Sequence, residues 1–191
     1  MKQLSAYIQE KLIINKDYRE SKTVPKSFRE LRRIIIDRYD KLGAGTKQNP
    51  IDFNDIDVSN IDSFCNKYDK GLFEGTKFNY INISDWDVSK VKSMRHMFYW
   101  CIELRSIGDI SNWDVTSVTD MSHMFSYCSI LVSVGDISKW NVSNVEDTSF
   151  MFERFKKFNQ DISKWDISNA RVIMNMFSGC PIKDEYKPKF K

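Results

Sequence analysis

Two sets of side chains in this sequence have the types and spacing that chemistry would require. The first is a pair of histidines, His96 and His123, which lie 27 positions apart. Two imidazoles could share a metal ion, but a typical zinc site has three or four protein ligands, and no third ligand accompanies this pair. We therefore interpret both histidines as solvated helix residues and predict no metal site.

The second set is a series of acidic residues that recurs at a nearly constant spacing. Neighbouring carboxylates could hold a cation or act as a pair. However, an asparagine interrupts the series, and near-identity at equivalent positions is what a structural turn requires. We favour the turn and keep the cation site as the alternative. The series consists of Asp57, Asp87, Asp114, Asn141 and Asp166.

Other arrangements that support catalysis are missing from the sequence. It has no glycine-rich phosphate loop and no G-x-S-x-G nucleophile elbow. It also has no cysteine and histidine arranged as a nucleophile and its base. We therefore expect a protein without enzyme activity and without a cofactor.

The elements that position these side chains are sequence repeats. They are anchored by four tryptophans separated by 27, 27 and 25 residues, namely Trp86, Trp113, Trp140 and Trp165. A degenerate copy has Ile56 at the tryptophan position, and we number the repeats from one (Ile56) to five (Trp165). A fixed period of this length is typical of solenoids, in which equivalent side chains form columns. We predict that the tryptophans form one buried column.

Within each repeat the apolar residues indicate a short strand followed by a short helix. In the third repeat, Trp113 and Val115 alternate with polar residues as in a strand. Val118, Met121 and Met124 then follow at helical spacing. The predicted fold class is therefore α/β, with one strand and one helix in each coil of 25–27 residues.

One position of the repeat alternates between cysteine and phenylalanine. Cys101, Cys128 and Cys180 each lie 15 residues after a repeat tryptophan, and Phe155 holds this position in the fourth repeat. Exchange between these two residue types is typical of a buried apolar slot. We predict free thiols in a core column and keep a disulfide between neighbouring repeats as the alternative.

The chain before the repeats is predicted to be helical and is basic. One helix is expected over residues 3–14, and a second of about 16 residues after Pro25. Residues 1–50 carry 12 Lys and Arg against 6 Asp and Glu, whereas residues 51–182 carry 13 against 18. The basic region can dock on the acidic repeats or meet an anionic partner. We predict a helical cap (1–50), a repeat solenoid (51–182) and a basic tail (183–191).

The repeat unit resembles the BspA-type leucine-rich repeat of bacterial surface proteins and mycoplasma lipoproteins. That unit looks like D-I-S-x-W-D-V-S-x-V-x-x-M-x-x-M-F, and the resemblance implies a right-handed solenoid and a role in adhesion or protein recognition. A weaker similarity joins residues 8–17 to the openings of small repeat proteins of gut bacteria and their bacteriophages. The matching copies are Asn82–Phe98, Asp109–Phe125, Asp136–Phe152 and Asp161–Phe177.

Sites for a partner are expected where neighbouring repeats differ from one another. Aromatic and arginine side chains at such positions are the residue types enriched at interface hot spots. An alternative is that these rings cover the N-terminal helices of the same molecule. The predicted partner-binding residues are Arg95, Tyr99, Trp100, Tyr127 and Arg154.

Three functions are compatible with these features. We favour a non-enzymatic module that binds another protein. The first alternative is a structural or assembly protein of a bacteriophage virion, and the second is a nucleic-acid binder that uses the basic first 50 residues. The N-terminus lacks the apolar stretch of a secretion signal, and no segment is long enough to span a membrane. The expected location is the cytoplasm, or the virion for a phage protein.

Overall fold

The structure is a computed structural model that describes residues 22–189. Regular secondary structure is sparse within this range, and most residues form turns around a large core rich in aromatic side chains. Strands β1 and β2 are parallel, with Ile51 opposite Ile81. The elements are α1 (Phe28–Leu42), β1 (Ile51–Asp52), β2 (Ile81–Asn82) and two 3₁₀ turns, Ile137–Lys139 and Asp184–Tyr186.

Helix α1 confirms the predicted second helix. The hydroxyl of Ser27 accepts a hydrogen bond from the amide of Glu30, and the Glu30 carboxylate accepts one from the amide of Lys26. These two bonds satisfy N–H groups that a helix start leaves without partners. The helix ends at Leu42 and is followed by Gly43, whose φ of 75° is unfavourable for other residues. The helix predicted over residues 3–14 lies outside the described residues.

Consecutive repeats lie side by side and are joined through equivalent residues. One series of parallel bridges connects Ser63, Ser93, Asp120, Asp147 and Val172 in turn. Each bridge joins one repeat to the next, so residues 25 to 30 positions apart in sequence become neighbours. The predicted α/β class therefore holds in outline, as one helix and two parallel strands beside these single bridges.

The prediction of one helix per repeat is wrong for the described residues. In the third repeat, Met124 donates to the carbonyl of Met121, and Ser126 donates to that of His123. These are bonds over three residues, as in successive tight turns. The amides of Met121 and His123 instead donate to the fourth repeat. Every second N–H group bonds the next repeat, and the others close tight turns. The continuous series of bonds that defines an α-helix therefore does not form.

The predicted strand position is also wrong. The segment of Trp113 and Val115 is not a strand, because the amide of Trp113 donates locally to the carbonyl of Ile110 in a tight turn. The bridges between repeats form elsewhere, through residues such as Ser106 and Asp120. Alternation of apolar and polar side chains here reflects alternate burial and not pairing with a neighbouring strand.

The predicted burial of all four tryptophans is confirmed, and three of them stack in one column. Trp113 and Trp140 stack with ring centroids 6.4 Å apart and an angle of 3° between their planes, and Trp140 and Trp165 stack at 6.3 Å. Each indole N–H donates to a carbonyl of the preceding repeat, such as that of Ile83 for Trp113 at 3.3 Å. The column therefore buries large apolar surfaces without leaving a polar atom unpaired.

The predicted column of buried free thiols is confirmed for Cys101 and Cys128, whereas Cys180 at the equivalent position is only partly buried. All four cysteines are free, and Cys101 and Cys128 are fully buried. Their thiols donate to the carbonyls of Phe73 and Phe98 at 3.0 and 3.1 Å. Burial raises the pKa of Cys101 to about 12, so this group remains a neutral thiol at ordinary pH.

Helix α1 packs its apolar side on the first repeats and its arginines on their backbone. Leu31 and Ile35 are fully buried in the same core as the repeats. Arg32 donates to the carbonyls of Gly71 and Leu72. Arg38 donates to both carboxylate oxygens of Asp55 at 2.6 and 2.8 Å. In the described part of the chain, the basic region thus docks on the acidic repeats.

Candidate functional site

The predicted partner-binding residues include three that share one position of the repeat. Trp100, Tyr127 and Arg154 follow one another in the second, third and fourth repeats, and each amide donates to the next repeat. Their φ values are 60°, 63° and 54°. The left-handed conformation costs a residue with a side chain about 1–2 kcal/mol, and in the first and fifth repeats glycines hold this position. These are Gly75 and Gly179, with φ of 64° and 65°.

The structure brings four of the five predicted residues together on one surface. The rings of Trp100 and Tyr127 lie 4.4 Å apart, centroid to centroid. Tyr99 lies 6.1 Å from Trp100 and 6.3 Å from Tyr127. The guanidinium carbon of Arg154 lies 5.3 Å from the centre of the Tyr127 ring, within cation–π range. We call Tyr99, Trp100, Tyr127 and Arg154 the aromatic ridge.

The side chains of the ridge are partly exposed to solvent and are also held in place by neighbouring side chains. Trp100 is 47% exposed, whereas Tyr99 and Tyr127 are partly buried. Each ring packs against a side chain of its own or the next repeat, so the rings lose little further freedom when a partner covers them. A surface of this kind can bind apolar and planar groups and can pair with a carboxylate through Arg154.

The fifth predicted residue, Arg95, is partly exposed and is held by contacts within the molecule. Its guanidinium donates to the hydroxyl of Ser122 at 2.8 Å and lies 3.2 Å from the carboxylate of Asp69. These contacts fix the side chain across the first three repeats. Contact between Arg95 and a partner remains a prediction.

A column of rings borders the ridge. The imidazoles of His96 and His123 lie 4.8 Å apart, and that of His123 stacks on Phe150 at 4.6 Å. Tyr99 touches both histidines, at 4.9 and 5.6 Å between centroids. The prediction that these are solvated helix residues is wrong, because they form a half-buried stack on turns. Within the described range, no group of three or more His, Cys, Asp or Glu side chains could hold a metal ion.

The environment of His123 favours its neutral form. Burial lowers the pKa of His123 to about 4, and the positive groups of His96 and Arg95 add to this shift, while Asp120 and Asp147 oppose it. Its Nδ1 has no hydrogen-bond partner in the described part of the chain. At neutral pH the histidine therefore acts as an aromatic packing group.

The acidic series forms the predicted turns. Asp87 accepts hydrogen bonds from the amide and the hydroxyl of Ser89, at 3.1 and 2.6 Å, and Asn141 accepts the same pair from Ser143. The hydroxyl of Ser89 is the main reason why the pKa of Asp87 lies below its ordinary value. Asparagine can replace aspartate here because both offer the same acceptor oxygen.

A polar hollow lies on another face of the third to fifth repeats. Its amide groups are already used within the molecule, because Asn144 donates to the carbonyl of Thr116 at 2.8 Å, and Asn169 to that of Ser143 at 2.7 Å. The hollow therefore offers a ligand fewer free groups than the ridge does. The lining residues are Thr116, Ser117, Thr119, Asn144, Glu146, Asn169 and Arg171.

Comparisons with known proteins assign a family and no activity. A family model described as "Mycoplasma protein of unknown function, DUF285" matches residues 67–186. Neither curated proteins nor solved structures gave a match. No helix within residues 22–189 is long and apolar enough to cross a membrane.

Proposed function

This chain belongs to the DUF285 family, which is described as being of unknown function, so we propose a role from the side chains that it exposes. We propose a non-enzymatic module that binds another protein through the aromatic ridge. This proposal rests on the geometry of four side chains from three adjacent repeats.

A solenoid arrangement of the repeats would support a binding module. We infer that the repeats form one right-handed solenoid of the BspA-type leucine-rich-repeat kind and that α1 caps its first coil. The bridges between equivalent residues and the stacked tryptophans support the solenoid. The buried face of α1 supports the cap, since an array of repeats needs a cover at its ends. Such arrays present extended surfaces on which neighbouring repeats contribute adjacent side chains.

The observation that carries the proposal is the choice of residues along one column. Glycine fits the left-handed conformation at Gly75 and Gly179 without strain, so the backbone does not require a side chain there. Trp100, Tyr127 and Arg154 nonetheless hold the three positions between them. Strained residues with large exposed side chains are typical of binding surfaces. We infer that these side chains are present for a partner.

A protein partner fits this surface better than a nucleic acid. Aromatic and arginine anchors are the residues that contribute most at protein interfaces. Two arginines of the basic N-terminal region, Arg32 and Arg38, already bind carbonyls or Asp55 within the molecule. They are therefore less available to phosphate groups, whose neutralisation depends on free positive side chains.

A capture experiment with matched variants tests the proposal. The parent and a Trp100→Gly, Arg154→Gly double variant would be used to purify binding proteins from the native host. Glycine is the replacement of choice because the same column contains it at Gly75. We expect the double variant to capture at least about tenfold less of a specific protein. A Val132→Ala variant, which alters an exposed residue away from the ridge, should capture the parental amount.

Three results would contradict this assignment. Equal capture by the parent and the folded double variant would place the binding site elsewhere. Recovery of DNA or RNA, with affinity that falls steeply as salt rises, would favour the nucleic-acid alternative. Recovery of the protein in many copies from a purified phage particle would favour the virion alternative.

A further inference from the structure

In one segment of each repeat, the backbone hydrogen bonds to the neighbouring repeat run in one direction. In the second repeat, alternate amides from Met94 to Trp100 donate to carbonyls of the third repeat. The third repeat donates to the fourth in the same way, and the fourth to the fifth. The last four donors are Thr148, Phe150, Phe152 and Arg154, and their acceptors are the carbonyls of Val172, Met174, Met176 and Ser178.

The fifth repeat has the same donors but, among residues 22–189, no neighbour that receives them. Its four equivalent amides have no acceptor within residues 22–189. The remainder of this repeat is covered in part, because Ile162 donates to the carbonyl of Tyr186 at 3.0 Å. We call residues 172–179 the open edge. Its unpaired donors are the amides of Ile173, Asn175, Phe177 and Gly179.

Apolar side chains accompany these donors. Val172, Ile173 and Met174 are 44%, 37% and 58% exposed. The third repeat has Asp120, Met121 and Ser122 at these positions, and the fourth has Asp147, Thr148 and Ser149. An end repeat that faces water should be more polar than inner repeats, but this one is more apolar. The open edge thus has the composition of a surface that another polypeptide covers.

Positive side chains flank the open edge at both ends. Arg171 directly precedes Val172; its side chain is 79% exposed, and its guanidinium lies 3.6 Å from the carboxylate of Glu146. At the other end, the Lys156 ammonium donates to the carbonyl of Gly179 at 3.0 Å, and the stem of Arg154 lies beside the same glycine. A segment that pairs with the edge would therefore gain from acidic residues near its two ends.

We propose that the open edge binds an acidic polypeptide segment of a different protein. The segment runs parallel to residues 172–179, places carbonyl oxygens opposite the four free amides and covers Val172, Ile173 and Met174. In this mode of recognition, an extended peptide adds to an exposed edge through main-chain hydrogen bonds. The surface borders the aromatic ridge at Arg154, whose stem lies beside Gly179. Either proposal can still fail without the other, because Met174 and the four amides belong to the open edge alone.

Hydrogen-bond polarity argues against a second copy of this chain. If two open edges faced each other, the free N–H groups of one copy would meet the free N–H groups of the other, and no hydrogen bonds could form between them. At the other end of the array, the carbonyls of Gly71 and Leu72 already accept bonds from Arg32. Thr23 also covers the first repeat there, through a parallel bridge to Ile56. Neither end of a second copy thus offers the acceptors that the open edge requires.

A peptide taken from the protein itself is a suitable probe. The segment Glu146–Phe155 contains three acidic residues and one arginine. In the protein its carbonyls at Asp147, Ser149, Met151 and Glu153 accept bonds from the third repeat. The synthetic peptide would be added to the full chain, and amide hydrogen exchange would be measured by NMR. We expect exchange at the four free amides to slow by at least about tenfold at millimolar peptide.

Two controls define the outcome. A peptide of the same composition in scrambled order should leave exchange at these amides unchanged. A Met174→Glu variant should weaken binding at least about tenfold, because it places a charge on the apolar strip and repels the acidic peptide. Val132→Glu adds the same charge at an exposed residue of an inner loop and should bind normally.

Three results would overturn the proposal. The first is unchanged exchange of the four amides at millimolar peptide. The second is equal slowing by the scrambled peptide. The third is slowing without peptide that increases with protein concentration, which would assign the edge to a second copy. None of these bears on the ridge, for which Trp100→Gly is the independent test, because Arg154 borders both surfaces.

Discussion

The ring of Trp100 lies 4.4 Å from the ring of Tyr127, although 27 residues separate them in sequence. Both residues adopt a left-handed backbone conformation, and both amides donate to the following repeat. The contact is therefore a product of the period of the repeats. It places two strained residues side by side on an exposed surface.

Glycine and alanine at residue 100 should separate backbone strain from ring packing. Either substitution removes the stack on Tyr127, which contributes about 0.5–1.5 kcal/mol. Only glycine also relieves the left-handed strain of about 1–2 kcal/mol. We expect Trp100→Gly to unfold at a higher urea concentration than Trp100→Ala. A Gly variant less stable than the Ala variant would contradict the assigned conformation.

Loss of one ring from the tryptophan column should destabilise several repeats. Trp113 is 4% exposed and stacks on Trp140, so Trp113→Ala should lower the free energy of unfolding by about 3–5 kcal/mol. Trp113→Phe keeps an aromatic ring but removes the donor to Ile83, and should cost less than the alanine variant. Chemical denaturation followed by circular dichroism measures both. An alanine variant as stable as the parent would show that the column is not a source of stability.

Arg32 should stabilise the first repeats through two backbone carbonyls. Its removal leaves the carbonyls of Gly71 and Leu72 without this donor, at a cost of about 1–3 kcal/mol. Arg32→Ala should therefore be less stable by that amount in urea. Arg29→Ala is the matched control, because Arg29 is exposed on the same helix, and should change stability little. Equal effects of the two variants would indicate that charge, and not carbonyl capping, matters.

His123 should make the protein less stable in acid. Because the folded-state pKa of about 4 lies below the ordinary value of 6.5, the unfolded chain binds this proton more tightly. The free energy of unfolding should fall as the pH drops from 6.5 towards 4. His123→Asn should reduce this dependence, since Asn175 shows that asparagine fits the same conformation. Stability would be measured by urea denaturation at several pH values, and identical pH profiles would contradict the prediction.

Sequence patterns predicted the packing of this protein better than its backbone. The spacing of Trp113 and Trp140 led directly to a buried stack, because a side chain repeated at every coil must meet its copies. The exchange of Cys128 and Phe155 similarly indicated a buried slot. Four of the predicted site residues also meet on one surface. These predictions depended only on period and residue type.

The backbone conformation could not be read from the same patterns. The apolar spacing of Val118, Met121 and Met124 fits a helix, but successive tight turns also return to one face after three or four residues. What separates the two is whether an amide finds its acceptor locally or in the next repeat. For Met121 the acceptor is the carbonyl of Asp147, 26 residues away. Local propensity does not contain that information.

The backbone contacts of the arginines were likewise missed. The charge pattern indicated that the basic region can dock on the acidic repeats, but it did not identify the atoms that Arg32 and Arg38 meet. In the structure these two side chains reach backbone carbonyls of the first repeats. The available signal was the number of arginines on a helix that precedes the acidic repeats. That signal identifies the residue type, but not the atoms that it meets.

The reactivity of the four cysteines can report the order in which the repeats unfold. Cys65 and Cys180 lie half-buried in the outermost repeats, while Cys101 and Cys128 are fully buried in the second and third. Burial raises the pKa of the Cys65 thiol to about 11 and that of Cys101 to about 12, so an alkylating reagent must wait for local opening. The order in which the thiols are labelled therefore records whether the array frays from its ends or opens all at once.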